Sequence, residues 1–307
     1  MTGSIAPLPT AAEVRRAAAA AKDAGGRRDP VQKRIVIHGV LIIAALIAAF
    51  PIIRVISVSL RPSDNLLERS FTLIPQGASL ENFEHVLFET AFPQWLANSL
   101  IITVGTSLVG LIFAATSAYA FSRYKFPGRG IGLTALLTTQ LIPATMLVVP
   151  LFVLAAILDP ILDLKDSYRG LVVAYAVTTV PFSIWILKGY YDTVPIELEE
   201  AARIDGASEL EAFWRILLPL STPALAIVFL FNFLSAWNEY VLARVLIGSS
   251  TPLYTWPLGI LRFQGQFQTQ WGDLAAASII VSIPIVALFL YSSKWLISGV
   301  TLGGVKG

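Results

Sequence analysis

The chain contains no cysteine and only two histidines, and both facts limit the kinds of catalytic and metal sites that it can form. Without cysteine, disulfides, thiolate nucleophiles and zinc–thiolate sites are excluded. His38 and His85 lie far apart in sequence, which argues against a histidine metal site or a catalytic triad with its own base. No Gly-x-x-x-x-Gly-Lys-Ser/Thr phosphate loop occurs, so the chain is not expected to hydrolyse ATP. The sequence therefore predicts neither a catalytic site, nor a bound metal, nor a cofactor.

Charge is also scarce. Only 14% of the 307 residues are charged and 55% are hydrophobic, with a mean hydropathy of +0.70. Soluble domains contain about 25% charged residues. The apolar runs are long and show no alternation, so they predict helices of roughly 20 residues that cross a membrane rather than barrel strands. We expect an all-α membrane protein with six transmembrane helices, at about 35–60, 96–121, 131–158, 168–188, 220–247 and 274–297.

The positive residues predict the orientation of these spans. Most of the 22 Lys and Arg lie in the N-terminal tail, in the second and fourth connections and near the C-terminus. Because positive residues stay on the cytoplasmic side, both termini and the fourth connection are expected in the cytoplasm. The late, long first apolar run indicates a retained anchor rather than a cleaved signal. The predicted parts are a partly disordered cytoplasmic tail (1–34), a first span with an extracytoplasmic loop (35–93), a permease domain (94–298) and a cytoplasmic tail (299–307).

The fourth connection, residues 195–219, predicts a helix–turn–helix, here named the hairpin. Pro195 suits a helix start, and Gly206 supplies a left-handed stop. Ser208 and Glu211 match a capping box for a second helix. That helix is expected to turn one apolar face toward the membrane domain, through Leu210, Phe213, Trp214 and Leu217. The hairpin is either a docking element for a partner or an interfacial structure that orients the fifth span.

The spacing within the hairpin is Glu-Ala-Ala, three residues, Gly, nine residues, Ile-x-Leu-Pro. It resembles the loop by which membrane subunits of type I bacterial ATP-binding-cassette (ABC) importers engage their ATPases. The resemblance implies ATPase-coupling roles for Glu200, Ala201, Ala202, Gly206, Ala207, Ile216 and Pro219. It extends from about residue 35 to the C-terminus.

Three further motifs resemble the smaller permease subunit of the maltose/maltodextrin importer family. They are Asn98-Ser99, Trp271-Gly272-Asp273 and the glycine-rich ending 299–307. The resemblance implies that this ending reaches the ATPases, whereas composition alone also fits a frayed terminus.

The fifth predicted span carries polar residues, which are costly inside a membrane and therefore candidates for function. The candidates for a substrate path are Asn232, Ser235, Trp237, Asn238 and Glu239. Aromatic faces, amides and carboxylates suit sugar binding. Asn232 fits equally well as a hydrogen-bonding contact between helices, and Glu239 could lie near the outer interface.

The loop 248–273 is predicted to face outward and is rich in aromatic and amide side chains. By resemblance to the maltose importer, it is expected to contact an external solute receptor. The candidates are Tyr254, Trp256, Phe263, Gln264 and Gln266. The alternative is an aromatic belt at the membrane interface.

Taken with the resemblance, the sequence predicts a multi-pass permease subunit of a carbohydrate importer in the bacterial cytoplasmic membrane. The implied partners are a second, non-identical permease, two ATPase subunits that bind ATP and Mg²⁺, and an extracytoplasmic sugar-binding protein. No nucleic-acid partner is expected. The predicted cargo is maltose or a maltooligosaccharide, with trehalose or glycerol phosphate as alternatives. An ion-coupled secondary transporter is a further alternative, and it would require paired charges at mid-membrane, where only Glu239 comes close.

Overall fold

The computed structural model describes residues 10, 12, 31–62, 74–248, 250–265 and 269–303, with side chains through residue 295. Regular structure in this part of the chain is helical, apart from an isolated bridge between Gln264 and Thr269. The chain divides into two compact units, Met1–Arg54 and Val55–Gly307. The predicted disordered tail, residues 1–34, lies almost wholly outside the described residues.

The helices are α1 (Val31–Ser59), α2 (Glu81–Glu84), α3 (Phe92–Arg123), α4 (Arg129–Thr139), α5 (Val148–Leu162), α6 (Tyr168–Tyr191), α7 (Glu197–Ile204), α8 (Glu209–Ala212), α9 (Leu218–Leu220), α10 (Thr222–Trp237), α11 (Val241–Leu246), α12 (Trp256–Gly259) and α13 (Trp271–Gly303). Two π-helical turns, His85–Glu89 and Phe213–Leu217, follow α2 and α8. Three 3₁₀ turns complete the described elements, at Ala144–Leu147, Thr251–Leu253 and Ile260–Phe263.

Within the described residues, 5 helices are long and apolar enough to cross a membrane: Val31–Ser59, Phe92–Arg123, Ala144–Leu162, Tyr168–Tyr191 and Trp271–Trp295. A bent pair, Glu209–Leu220 and Thr222–Trp237, meets at an angle of 78° and gives a sixth crossing if the pair is counted as one span. The all-helical class is therefore confirmed, and the predicted six spans agree with the structure when the bent pair counts as one. The last helix continues to Gly303, while its part that can cross a membrane is Trp271–Trp295, so the tail boundary at 299 stays a prediction.

The third span was predicted wrongly as a continuous helix over 131–158. Helix α4 ends at Thr139, and the apolar stretch that can cross a membrane begins at Ala144. Pro143 lies at the break in an extended conformation, with φ −54° and ψ 130°. Proline has no N–H to donate and disfavours helical geometry in the preceding residue, so it separates two helices here.

The fifth span was predicted over 220–247, but in the structure its helix ends earlier. Helix α10 stops at Trp237, and a new helix starts at Val241. The Glu239 carboxylate accepts hydrogen bonds from the backbone N–H groups of Val241, Leu242 and Ala243, at 3.0, 3.0 and 3.1 Å. These N–H groups open α11 and have no partner within the helix, so Glu239 acts as its cap.

Helix α3 lies at the centre of the second unit, where it packs against α6 and α10. Gly110, Ala114 and Ala118 form a buried ridge along it, which lets the neighbouring helices approach closely. A Cβ at Gly110 would come within 2.9 Å of the Asn232 amide nitrogen. The buried apolar side chains form one cluster toward the hairpin, around Phe213 and Leu217, and another toward the opposite end of α3.

Candidate functional site

The hairpin is built as its sequence predicts. Gly206 has φ +94°, and the N–H groups of Gly206 and Ala207 donate to the carbonyls of Arg203 (3.1 Å) and Ala202 (3.0 Å). These two bonds form a Schellman motif that ends α7. Ser208 and Glu211 then form a complete capping box for α8. Hydrogen bonds from the Ser208 backbone and hydroxyl hold the pKa of Glu211 below its usual range. Local sequence rules therefore fix the turn between the two helices.

One face of the hairpin holds it against the rest of the chain. Ala212, Phe213 and Leu217 are buried, and the Phe213 ring lies 4.8 Å from that of Tyr119 on α3. Burying a phenylalanine or leucine side chain contributes about 1.5–3 kcal/mol. The prediction that Leu210 and Trp214 share this face is wrong, since they are 65% and 53% exposed. The π-helical turn Phe213–Leu217 departs from the 3.6-residue periodicity on which the placement of Trp214 rested, whereas Leu210 lies before that turn in a regular α-helix.

The other face of the hairpin is open. Glu200, Ala201, Gly206 and Pro219 are exposed, and Ala202, Ala207 and Ile216 are half-buried. Large apolar side chains accompany them on an otherwise polar element: Leu198, Ile204, Leu210 and Trp214, which are 44%, 87%, 65% and 53% exposed. Exposed apolar groups gathered among polar ones are typical of an interaction surface. The predicted coupling residues therefore share one accessible element.

A buried ion pair, which the sequence analysis missed, attaches the hairpin to the end of α3. Arg123 Nε lies 2.7 Å from Glu199 Oε1, and the two side chains are 9% and 4% exposed. The same guanidinium donates to the Val194 carbonyl at 3.1 Å and to the Ser122 hydroxyl at 3.1 Å. Removing one member of such a pair leaves an uncompensated buried charge, at a cost of about 3–5 kcal/mol.

Weaker polar contacts reinforce this attachment. The Tyr124 hydroxyl donates to Glu209 at 2.7 Å, which raises the pKa of Tyr124. Ser122 donates to Asp192 at 2.7 Å, and Lys188 lies 2.6 Å from the other oxygen of that carboxylate. The end of α3 and the adjoining Tyr124 therefore contact both the approach to the hairpin and its second helix.

The predicted substrate-path residues do not line one cavity. Asn232 is fully buried and accepts a hydrogen bond from Ser183 of α6 at 2.8 Å, so it is placed as a contact between helices. Trp237 is also fully buried, with its ring stacked 5.4 Å from Phe233. Ser235 is half-buried at the surface of α10.

Asn238 and Glu239 occupy the break between α10 and α11. Asn238 is exposed and donates to the Leu234 carbonyl at 2.8 Å, and the half-buried Glu239 caps α11. Polar groups at such a break have an immediate structural role, so their role in a substrate path stays a prediction.

The outward-facing loop of the sequence analysis is more ordered than a loop. Its described part, named here the 250–265 segment, contains α12 and two 3₁₀ turns. Tyr254 and Phe263 are 6% and 3% exposed, Trp256 is half-buried, and Gln264 is exposed. Gln266 lies outside the described residues. We therefore restrict the predicted receptor contact, within the described residues, to the exposed Gln264 and its surroundings.

Asn98 and Ser99 hold this segment against α3. The Asn98 amide donates to the Pro252 and Tyr254 carbonyls, both at 2.9 Å, and accepts from the Tyr168 hydroxyl at 2.7 Å. The Ser99 hydroxyl oxygen accepts from the backbone N–H of Trp256 at 2.7 Å. These bonds give a physical role to a dipeptide that the sequence analysis noted only for its resemblance.

A cavity of about 400 Å³ opens beside the segment. Two tyrosines and two arginines supply its polar lining, Tyr240, Tyr254, Arg244 and Arg262, and Leu258 and Leu261 complete it. Arg262 lies over the Tyr254 ring at 5.6 Å. Within the described residues, no group of three or more His, Cys, Asp or Glu side chains is arranged to hold a metal ion.

This architecture, a membrane-spanning helical unit with an exposed helix–turn–helix, defines a transport subunit. The chain belongs to the family described as binding-protein-dependent transport system inner membrane component, which matches residues 106–300. It is thus a multi-pass inner-membrane permease of the carbohydrate ABC-importer class, and no catalytic activity is attributed to this family.

Two relatives are similar to this chain over most of its length. The maltose/maltodextrin transport system permease protein MalG of Salmonella typhimurium (strain LT2) is 36% identical over 286 residues, covering 88% of this chain and 94% of the relative. The inner membrane ABC transporter permease protein YcjP of Escherichia coli (strain K12) is 32% identical over 264 residues, covering 85% and 92%.

A solved structure is similar over most of the chain. It is a bacterial ABC transporter involved in the import of the acidic polysaccharide alginate, with a TM-score of 0.75 and 25% identity. The match covers 87% of this chain and 98% of that one. Together these relatives favour an ABC importer of sugars or polysaccharides over the ion-coupled alternative.

Proposed function

We propose that this chain is one of two permease subunits of an ATP-driven importer that carries maltose or a maltooligosaccharide. Both termini and the hairpin lie in the cytoplasm, and the hairpin docks in a cleft of a partner ATPase that binds ATP and Mg²⁺. The observation that carries this proposal is the exposed surface of the hairpin, where Glu200 and Ala201 lie among the exposed apolar side chains Leu198 and Ile204. Likeness to MalG supports the cargo.

Rigid attachment of the hairpin supports the same mechanism. A docking element can transmit motion only if it moves with the spans behind it. The Arg123–Glu199 ion pair and the buried Phe213 provide that attachment. Movement of the ATPase cleft is then passed to the membrane helices, and a sugar-loaded external receptor and ATP favour different states of the permease.

The first test is purification of the assembly from membranes through a tag on this chain. We expect an ATPase, a second permease and a receptor that retains its sugar. Glu200→Lys should leave the protein inserted and folded but abolish receptor-stimulated ATP hydrolysis. The matched control is Glu197→Lys, which makes the same charge change at the first residue of α7. A positive charge at this first residue opposes the helix dipole at least as strongly as one at position 200. If Glu200→Lys acted only by destabilising α7, both variants would therefore be inactive. Equal activity of both variants and the wild type would contradict docking at Glu200.

The absence of cysteine allows the topology to be tested on the chain itself. A cysteine introduced at the exposed Lys125 should react with an impermeant maleimide only from the cytoplasmic side, and one at Leu261 only from outside. The reverse labelling pattern would place the hairpin on the wrong side for an ATPase.

A second cargo, an acidic oligosaccharide, is favoured by the cavity lined by Arg244 and Arg262. Guanidinium groups bind carboxylates with two parallel hydrogen bonds, and tyrosine rings can stack on a sugar face. The alginate importer is a relative with a cargo of this class. Competition between maltotriose and an oligouronate for the purified receptor distinguishes the two, since only the true cargo class displaces the retained sugar.

A further inference from the structure

Helix α3 carries polar anchors at both of its ends. It contains 32 residues, Phe92–Arg123, and therefore extends over about 48 Å, more than the roughly 30 Å of a hydrocarbon core. Near its first turns, Asn98 and Ser99 bind the backbone of the 250–265 segment. At its last residue, Arg123 binds Glu199 of the hairpin. The two elements thus contact one helix near its opposite ends.

The contacts of Asn98 and Arg123 are suited to pass a displacement between α3 and the elements that they bind. Asn98 is 4% exposed, and its amide donates to two carbonyls of the segment, so the segment cannot shift without moving α3 or breaking both bonds. At the other end of α3, the Arg123 guanidinium donates three hydrogen bonds, to Glu199, the Val194 carbonyl and Ser122. A planar guanidinium fixes direction as well as distance, unlike a lysine ammonium.

The other spans of the second unit are less suited to carry a displacement along their length. Helix α6 contains Pro181 and α13 contains Pro284 in their interiors. Helix α10 joins the hairpin side through a bend of 78°. An internal proline removes a backbone hydrogen bond and favours kinking. In α3 the only proline is Pro93, near the helix start, where it removes no helical bond.

We propose that α3 is the element through which the 250–265 segment and the hairpin sense each other, with Asn98 and Arg123 as positioning residues at its two ends. This inference rests on the proposed function. A receptor that engages the segment displaces α3, and Arg123 passes the displacement to the hairpin and its ATPase. Asn98 and Arg123 lie about 37 Å apart along the helix, so neither residue touches the site served by the other.

The experiment compares basal and receptor-stimulated ATP hydrolysis in the intact assembly, purified in lipid nanodiscs with the co-purified receptor and its retained sugar. The variants are Asn98→Ala, Arg123→Lys and the double variant. Ser99→Ala is a milder second change at the first end, in case Asn98→Ala fails to assemble. Lys125→Ala is the matched control, because it removes an exposed positive charge two residues from Arg123 that forms no hydrogen bond or ion pair among the described residues.

Each single variant should assemble and keep its basal hydrolysis but lose about tenfold in stimulation, while Lys125→Ala stays like the wild type. Effects at distant, independent sites multiply. If both residues act through α3, the double variant should instead fall no further than the more impaired single variant, within about twofold. A hundredfold loss in the double variant, equal loss of basal hydrolysis, or wild-type stimulation in the single variants would overturn the inference. Failure of wild-type stimulation would instead overturn the proposed function, and with it this inference.

Discussion

Gly206 offers a substitution series that separates docking from folding. It lies in the left-handed region, with φ +94°, and nothing lies within 4 Å of the position that a Cβ would occupy. A side chain at 206 therefore costs backbone strain but causes no clash within the chain. For an ordinary residue that strain is about 1–2 kcal/mol, and it is smaller for asparagine, which tolerates this conformation through local hydrogen bonds.

The two effects rank the variants in opposite orders. If Gly206 matters only for the turn, Gly206→Ala should be less stable than Gly206→Asn by about 1 kcal/mol. That difference is roughly fivefold in the equilibrium constant for local unfolding of the turn. If the open surface is covered by an ATPase, the larger side chain of Gly206→Asn should be worse, and Gly206→Asp worse still, because it adds a negative charge to an element that already exposes Glu200. We expect receptor-stimulated ATP hydrolysis to fall from glycine to alanine to asparagine to aspartate, while thermal stability falls most for alanine.

Gly128 supplies the matched control, because it has φ +86°, equally open surroundings and a place in the connection that follows α3. The same substitutions at Gly128 carry the same backbone cost but lie outside the hairpin. They should lower thermal stability by a similar amount and leave stimulation unchanged. Stimulation that follows thermal stability at both glycines would refute the docking surface.

Two further predictions concern the opposite end of the molecule. A Cβ on Gly259 would overlap the Trp95 ring, so Gly259→Ala should lower the stability of the purified protein by about 1–3 kcal/mol, measured as a fall in its thermal unfolding temperature. Glu239→Gln, which keeps an oxygen acceptor for the α11 N–H groups, should be more stable than Glu239→Ala by about 1 kcal/mol. Equal thermal stability of the two Glu239 variants would show that the cap contributes nothing.

The parts of this fold that sequence predicts are those decided within a few residues. The apolar runs produce spans because hydrocarbon requires internally satisfied backbones. The Gly206 turn and the Ser208 capping box follow from local hydrogen-bonding rules and appear in the structure as predicted. The prediction of one continuous third span was wrong for a local reason too. The apolar residues on both sides of Pro143 form one long hydrophobic run, which hides the break in the helix at this proline.

The parts that sequence does not predict depend on distant partners. Arg123 and Glu199 are 76 positions apart, and each alone fits an ordinary surface role, as a positive residue at a span end and an acid in the first turn of a helix. Asn98 and the Tyr254 carbonyl are 156 positions apart. Helical periodicity also cannot anticipate a π-helical turn such as Phe213–Leu217, within which Trp214 was assigned to the buried face.

The adjacent acids Glu199 and Glu200 show how the hairpin acquires two distinct sides. Successive residues of a helix point about 100° apart, so when Glu199 turns inward to Arg123, Glu200 points away from the bundle. Glu199 is 3% exposed and fixes the hairpin to α3, whereas Glu200 stays accessible to a partner. A change at Glu199 therefore acts on how the hairpin is held, and a change at Glu200 acts on what it touches. Because the inner carboxylate fixes the rotation of α7 about its axis, it also determines which residues form the exposed face that we propose docks.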